Sequence, residues 1–420
     1  MRLLMLHILF VLLMLAGNTY AGNSSGAQHN FSGFASLGVV SSDSEELVFR
    51  RDVTQNDGSY DGKAEWLTDS LIGAQWHGRW SHQWDTTIQV VAKDRFDNTL
   101  EKSIEWAFVR YRPMDGLDLR LGRVGTDIFT ISEYRQVGYA SPWVRPQHDT
   151  YALLSLYHFD GGDITKRFDL DESTLNVKLF YGNSDEKYPL AFKSDDSVRL
   201  DFDMGGITLN LEQGNWKWRT SFIDVAINNN AGSELGAALA AFDSFWPEAG
   251  AISGDFYTEG KHFTYGEVGI SYDNNSWWVQ AEAVRLDSDT LLIPSGHHAY
   301  LMVGKRLGDF SVYALGGYAQ PEKDPVSLQP PPGLPSPQAE AAQFLAMTAE
   351  RTLNGARIDQ RSLGLGVRWD FASKMALKFQ VENFEIHPDG TNYWFRVNSQ
   401  ELIDSDQSSI VTSLAWDMLF

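Results

Sequence analysis

The chain has 420 residues, a formal net charge of −21 and a pI near 4.8. Such acidity excludes a nucleic-acid surface, which needs basic residues against phosphate, while 43% hydrophobic and 13% aromatic content exclude an acidic disordered chain. There is no cysteine, so disulfides, zinc thiolates, a cysteine nucleophile and lipid attachment at cysteine are all excluded.

Residues 1–21 read as a signal peptide: a positive Met1-Arg2, an apolar stretch from Leu3 to Leu15, and small residues before a cut after Ala21. The stretch is shorter than the roughly 20 residues a spanning helix needs. From residue 22 onward no long apolar run occurs, yet aromatics are plentiful. Instead, apolar and polar residues alternate with period two. Ile72, Ala74, Trp76 and Trp80 begin the pattern; Ile88, Val90 and Ala92 follow, then Leu117, Leu119 and Leu121. Leu175, Val177, Leu179 and Tyr181 repeat it, as do Leu363, Leu365, Val367 and Trp369, and Met375, Leu377, Phe379 and Val381. These are strands with one apolar and one polar face.

A soluble sandwich would alternate in the same way, so the connections decide. Short links near 81–85, 113–116, 169–173, 214–215, 273–276, 308–309 and 371–374 take strict turns with long links near 41–69, 94–102, 123–150, 183–197, 228–258, 287–298, 320–359 and 386–407. Fifteen links join sixteen strands and leave both chain ends on the short-turn side. An all-β, closed antiparallel transmembrane barrel over residues 22–420 has this form, with short periplasmic turns and long outer loops. Closure removes the sheet edges that lipid cannot satisfy. Trp80, Tyr111, Trp216, Tyr272, Trp277, Trp369 and Trp416 lie beside turns, where aromatic girdles meet the membrane interface.

The last strand keeps its alternation to the end: Ile410, Thr412, Leu414, Trp416, Met418, Phe420. With the signal peptide and the sixteen strands, this stripe resembles the Gram-negative general diffusion porins. In that family a terminal Phe with alternating hydrophobics is read by the barrel assembly machinery, a role the resemblance implies for Leu414, Trp416, Met418 and Phe420. The resemblance further implies a homotrimer in outer-membrane lipid and passive diffusion of small hydrophilic solutes and ions. It also implies that the loop after the fifth strand, residues 123–150 here, folds into the barrel as a constriction. Asp127 and Glu133 are the acids expected on that loop, with Tyr134, Arg135, Arg145 and His148 nearby. Arg79, Lys93 and Arg120 on the early strands are the bases expected to oppose them.

By alternation the wall carries the bases Arg79, Lys93, Arg120, Lys178, Lys217, Arg219, Arg368 and Lys378 against the acids Asp118, Glu212, Glu267, Glu282 and Glu382. Most negative charge then falls in loops and turns, as in 41–46 and 183–188, and weak selectivity is expected. Residues 231–246 and 338–351 read as loop helices, the second after a proline-rich stretch. His297-His298 would point apart on a strand and make no metal site. No nucleotide-binding glycine motif and no triad pattern stands out, so neither enzyme activity nor a cofactor is expected. The rival readings are a phosphate- or anion-selective channel and a non-conducting adhesin or structural barrel.

Overall fold

The computed structural model describes residues 28–153, 155–398, 403 and 405–420. The expected signal peptide lies outside them. The first strand is β1 (Gln28–Ser42), and β2 (Leu47–Phe49) is a short piece in the first long loop. There follow β3 (Leu71–Arg79), β4 (Trp84–Lys93), β5 (Ile104–Met114), β6 (Leu117–Gly125), β7 (His158–Leu170), β8 (Ser173–Pro189) and β9 (Ser197–Gln213). Next come β10 (Trp216–Ile227), β11 (His262–Asp273), β12 (Trp277–Ser288), β13 (Gly296–Leu307) and β14 (Phe310–Pro321). The last are β15 (Ile358–Ala372), β16 (Met375–Thr391), the short β17 (Trp394–Arg396) and β18 (Gln407–Leu419). All but β2 and β17 form one closed antiparallel barrel of sixteen strands.

Strands joined by short turns pair because those turns permit nothing else, and the long loops return the chain beside the strand it left, so neighbours in sequence are neighbours in the sheet. Gly116, Gly214 and Gly308 take the left-handed conformation that tight hairpins demand, and Asn275 and Lys374 do so without being glycine. The seam closes between β1 and β18, with Phe34 opposite Leu419 and Ser42 opposite Val411. The terminal residue completes it: the Phe420 and Gly33 backbones exchange hydrogen bonds of 2.9 and 2.8 Å. A Cβ on Gly33 would meet the Phe420 ring at 2.2 Å, so the aromatic lies flat over a glycine across the seam.

The apolar faces point outward. Phe31, Leu37, Ile88, Val109, Leu121, Leu179, Phe222, Val268, Leu301, Leu363, Leu365, Ile410 and Leu414 are all exposed. Near the short turns the band ends in aromatics: Trp84 stacks on Tyr111, Trp216 packs on Tyr272, and Phe310 stacks on Trp369. No helix among the described residues is long and apolar enough to cross a membrane.

Some loops differ from expectation. The β8–β9 hairpin stays paired to Pro189 opposite Ser197, so residues 183–188 are strand rather than loop and the link is 190–196. The strand register carries the hairpin on because its side chains continue to find cross-strand partners, such as Arg199 on β9 with Asp185 on β8 at 3.4 Å. The loop after β6 runs to residue 157 rather than 150. Its tail is nearly all apolar, and Tyr151 and Leu156 pack into the lumen-facing core instead of joining the ladder.

Short helices occupy the loops: α1 (Leu100–Ser103), α2 (His148–Tyr151), α3 (Ser233–Ala240), α4 (Pro247–Ser253) and α5 (Ser336–Gly355). The expected loop helices are thus α3 and α5. With α4 they share a core of Leu239, Trp246, Ala249, Phe256, Ala342, Leu345 and Ala349, forming a cap on the long-loop side. Across the mouth, β2 pairs with β17 and brings Phe49 onto Trp394.

Candidate functional site, the loop across the barrel lumen

The chain leaves β6 at Gly125 and turns inward. The root of the loop is pinched where the Thr126 amide donates to the Tyr157 carbonyl at 3.1 Å. Irregular backbone can be buried only if other groups satisfy its polar atoms, and here wall side chains do so. Arg219 donates to the Asp127 carbonyl at 2.7 Å and Ser221 to the Ile128 carbonyl at 2.8 Å, while the Thr130 amide donates to Glu282 at 3.2 Å. On the opposite wall Arg368 donates to the Tyr139 and Ser141 carbonyls at 2.7 and 2.8 Å. Lys378 donates to the carbonyls of Gly138 and Trp143 at 2.7 and 2.8 Å. The loop therefore spans the lumen, tied to β10–β12 at one end and to β15, β16 and β18 at the other.

The first attachment is a line of alternating charge. Asp163 grips Arg120 through both carboxylate oxygens, at 2.6–3.0 Å. Arg120 reaches Glu133 at 3.2 Å, Glu133 meets Lys178 at 2.9 Å, and Lys178 also pairs with Asp127. Asp127 meets Arg219 at 2.8 Å and Arg219 meets Glu267 at 3.2 Å. Wall and loop alternate sign along the line, so each charge is stabilised from both sides. Glu133 is 45% exposed on its side chain, and Lys178, joined by Arg120, overcomes burial to hold its carboxyl down at about 2.

The second attachment is Arg145, 1% exposed. It holds Asp69 through both oxygens at 2.7–3.2 Å and Glu382 at 2.6 Å. Burial alone would lower its guanidinium, but Asp69 and Glu382 outweigh that and raise it. Beside it Lys378 pairs with Asp417 at 2.7 Å, and Asp417 accepts from Ser36 at 2.5 Å. His148 Nε2 sits 2.9 Å from the Arg50 carbonyl, and burial drives its imidazole down to about 3, so it is neutral. The Asp149 carboxylate accepts from Gln147, Gln360 and Ser362, yet burial still raises it.

Two chambers lie on either side of the loop and share no lining residue. The inner chamber, toward the short turns, has a volume of about 570 Å³ and is lined by Arg120, Asp127, Glu133, Tyr134, Lys178 and Arg219 among others. The outer chamber, toward the long loops, has about 610 Å³ and is walled largely by apolar and aromatic side chains.

No family model and no curated protein matches the sequence. Solved structures do. OmpT of Vibrio cholerae is similar at a TM-score of 0.52 and 11% identity, covering 95% of this chain and 99% of that one. OmpF of Salmonella typhi, in complex with daunomycin, is similar at 0.51 and 11%, covering 94% and 98%. The outer membrane channel DcaP of Acinetobacter baumannii is similar at 0.50 and 11%, covering 95% and 99%. The fold is the sixteen-stranded porin barrel.

Within that porin fold the expected site residues separate into groups. Arg120, Asp127, Glu133 and Tyr134 converge on the inner chamber. Arg145 and His148 anchor the far wall. Lys93 and Arg135 both lie over the Tyr157 ring, at 2.9 and 3.7 Å from its centroid, and so belong to the loop's base rather than to the charged line. Arg79 is exposed at the end of β3 opposite Asp85, beside a short turn, because its strand ends before it can reach the loop. His298 turns inward to the Asp149 carbonyl at 2.8 Å while His297 is exposed, so the pair does point apart.

Alternation missed several wall acids. Asp163 lies on β7, where Lys166 interrupts the apolar face. Asp85 receives both Arg110 and Arg112, and Glu105 pairs with Arg95. With Asp417 they narrow the expected excess of wall bases. Asp69 could not be found by pattern, since it sits in a loop and meets Arg145 across 76 positions of sequence.

Proposed function

We propose that this barrel resides in the outer membrane of a Gram-negative bacterium, exported by its signal peptide and inserted by the barrel assembly machinery. There it passes small hydrophilic solutes and ions by diffusion, without a covalent step and without a cofactor. The carrying observation is the inner chamber, whose walls and loop present Arg120, Glu133, Lys178, Asp127 and Arg219 of the alternating line. Opposed charges across a narrow lumen orient dipolar solutes and sort ions locally, while their near balance supports weak overall selectivity. The outward apolar band and its aromatic border support the membrane setting. The low wall of β3 to β6, with strands of 9 to 11 residues, is the face we assign to contacts in a homotrimer, and the mass of the detergent-extracted complex tests it.

Single-channel recording in a planar bilayer is the test of passage. Discrete open steps with weak selectivity support diffusion. Folded barrel that gives no steps at any voltage or salt overturns it and leaves the non-conducting barrel. A second reading, a solute-specific channel, is favoured by one observation: the loop is tied to both walls, so the free cross-section is smaller than a loop held at one side would leave.

A further inference from the structure

The outer chamber has a composition unlike the rest of the molecule. Among the described residues its lining contains Arg50 and Arg396 and no aspartate or glutamate, in a chain with 55 acidic residues against 34 basic ones. Most of the remaining wall is apolar, including Leu200, Phe202, Phe263 and Leu292. Arg50 is 4% exposed. Among the described residues its guanidinium donates only to backbone carbonyls, those of Val53, Gln55, Asn392 and Tyr393, at 2.5–3.2 Å, and it lies 3.8 Å over the Phe395 ring. No carboxylate comes within 4.0 Å of it among the described residues. The nearby Asp52 is committed elsewhere, accepting from Thr54 and from the Tyr157 hydroxyl at 2.7 Å.

We propose that the outer chamber binds an amphipathic organic anion, an aromatic or aliphatic body carrying one carboxylate or sulfonate. The body would replace water along the apolar wall, and the anionic head would approach Arg50 from the chamber side. A volume of about 610 Å³ fits a small organic molecule. Charge complementarity sets the sign: a buried cation without an ion pair gains from an incoming anion and repels a cation. Burial already presses the Arg50 guanidinium down to about 9, a cost that a bound anion would relieve. The site would take such solutes from the long-loop side, above the loop that crosses the lumen. The proposal goes beyond diffusion of hydrophilic solutes, and its readout is binding, so it stands or falls separately from conductance.

The test is equilibrium dialysis of the folded barrel in lipid nanodiscs against 2-naphthoate and its neutral analogue 2-naphthamide, with empty nanodiscs subtracted. Saturable binding is expected, with naphthoate preferred by about tenfold or more. Arg50→Gln should abolish the preference. Ala191→Trp, which narrows the chamber from the β8–β9 hairpin without touching Arg50, should weaken both probes about tenfold or more. Absence of saturable binding, or equal affinity for both probes, overturns the proposal. Should Arg50→Gln fail to reach the mobility of folded barrel, Ala191→Trp decides: full naphthoate affinity in that variant also overturns it.

Discussion

The two chambers differ in how they treat charge. In the inner one each wall cation that meets the loop is answered by a carboxylate, and the line from Asp163 to Glu267 binds loop to wall. In the outer one Arg50 and Arg396 border a largely apolar space with no acid among its described lining residues. The difference teaches that the net charge of a chain says little about the potential at a given depth of its barrel. Charge is set locally by which side chains the strand register turns inward.

The largest effect should come from Arg145→Ala, which leaves Asp69 and Glu382 buried without their cation. Removing one partner of a buried pair costs about 3–5 kcal/mol, here taken from the docking of the loop. The variant should be cut by trypsin within residues 126–157 and should conduct severalfold more than the parent, while Arg145→Lys recovers part of the protection. Unchanged trypsin resistance would remove Arg145 as the anchor.

Next in size is the double substitution Asp127→Asn, Glu133→Gln. It leaves Arg120, Lys178 and Arg219 facing the inner chamber with only Asp163 and Glu267 of the original line. The reversal potential under a salt gradient should move toward anions, and more so at low salt. A shift toward cations would break the assignment of these two acids to the conducting path.

Acidification should act on the loop in two stages. His148 takes a proton near 6.5 when released but only near 3 when docked, so docking weakens as pH falls through that window. Glu133, held at about 2 when docked, adds stability that is complete above its ordinary value of 4.5 and is lost as pH falls toward 2. Protease sensitivity of the loop measured from pH 7 to 3 should therefore rise with acid, and His148→Phe should flatten the upper part of that curve. The smallest effect belongs to Lys217→Gln at the inner mouth. Its pair with Glu212 is exposed, at 66% and 49%, and is screened by salt, so conductance in molar salt should be unchanged.

Much of the barrel is legible in the sequence because its strands alternate and its links alternate in length. The stripe from Ile410 to Met418 reads outward directly from period two. Strand faces failed where a charge interrupted the apolar side, as at Lys166, and where β5 carries irregular pairing against β4. Those are the strands that hide Asp163, Glu105 and Arg110. The loop's acids could be named from type and position, but their partners could not, because Lys178 and Asp127 are 51 residues apart and Arg145 and Glu382 are 237 apart.

What the sequence determined by itself was the architecture. An alternation of apolar and polar residues admits only one side toward lipid, tight turns pair the strands they join, and lipid leaves no place for an open edge, so sixteen strands and a closed seam follow from local rules. Only the tertiary structure decided what fills the lumen. The loop's path depends on side chains from opposite walls meeting it at once, a coincidence of distant residues that no local pattern encodes. The same closure set Arg50 beside an apolar chamber, by bringing the loop strand with Phe395 against it across more than three hundred positions of sequence.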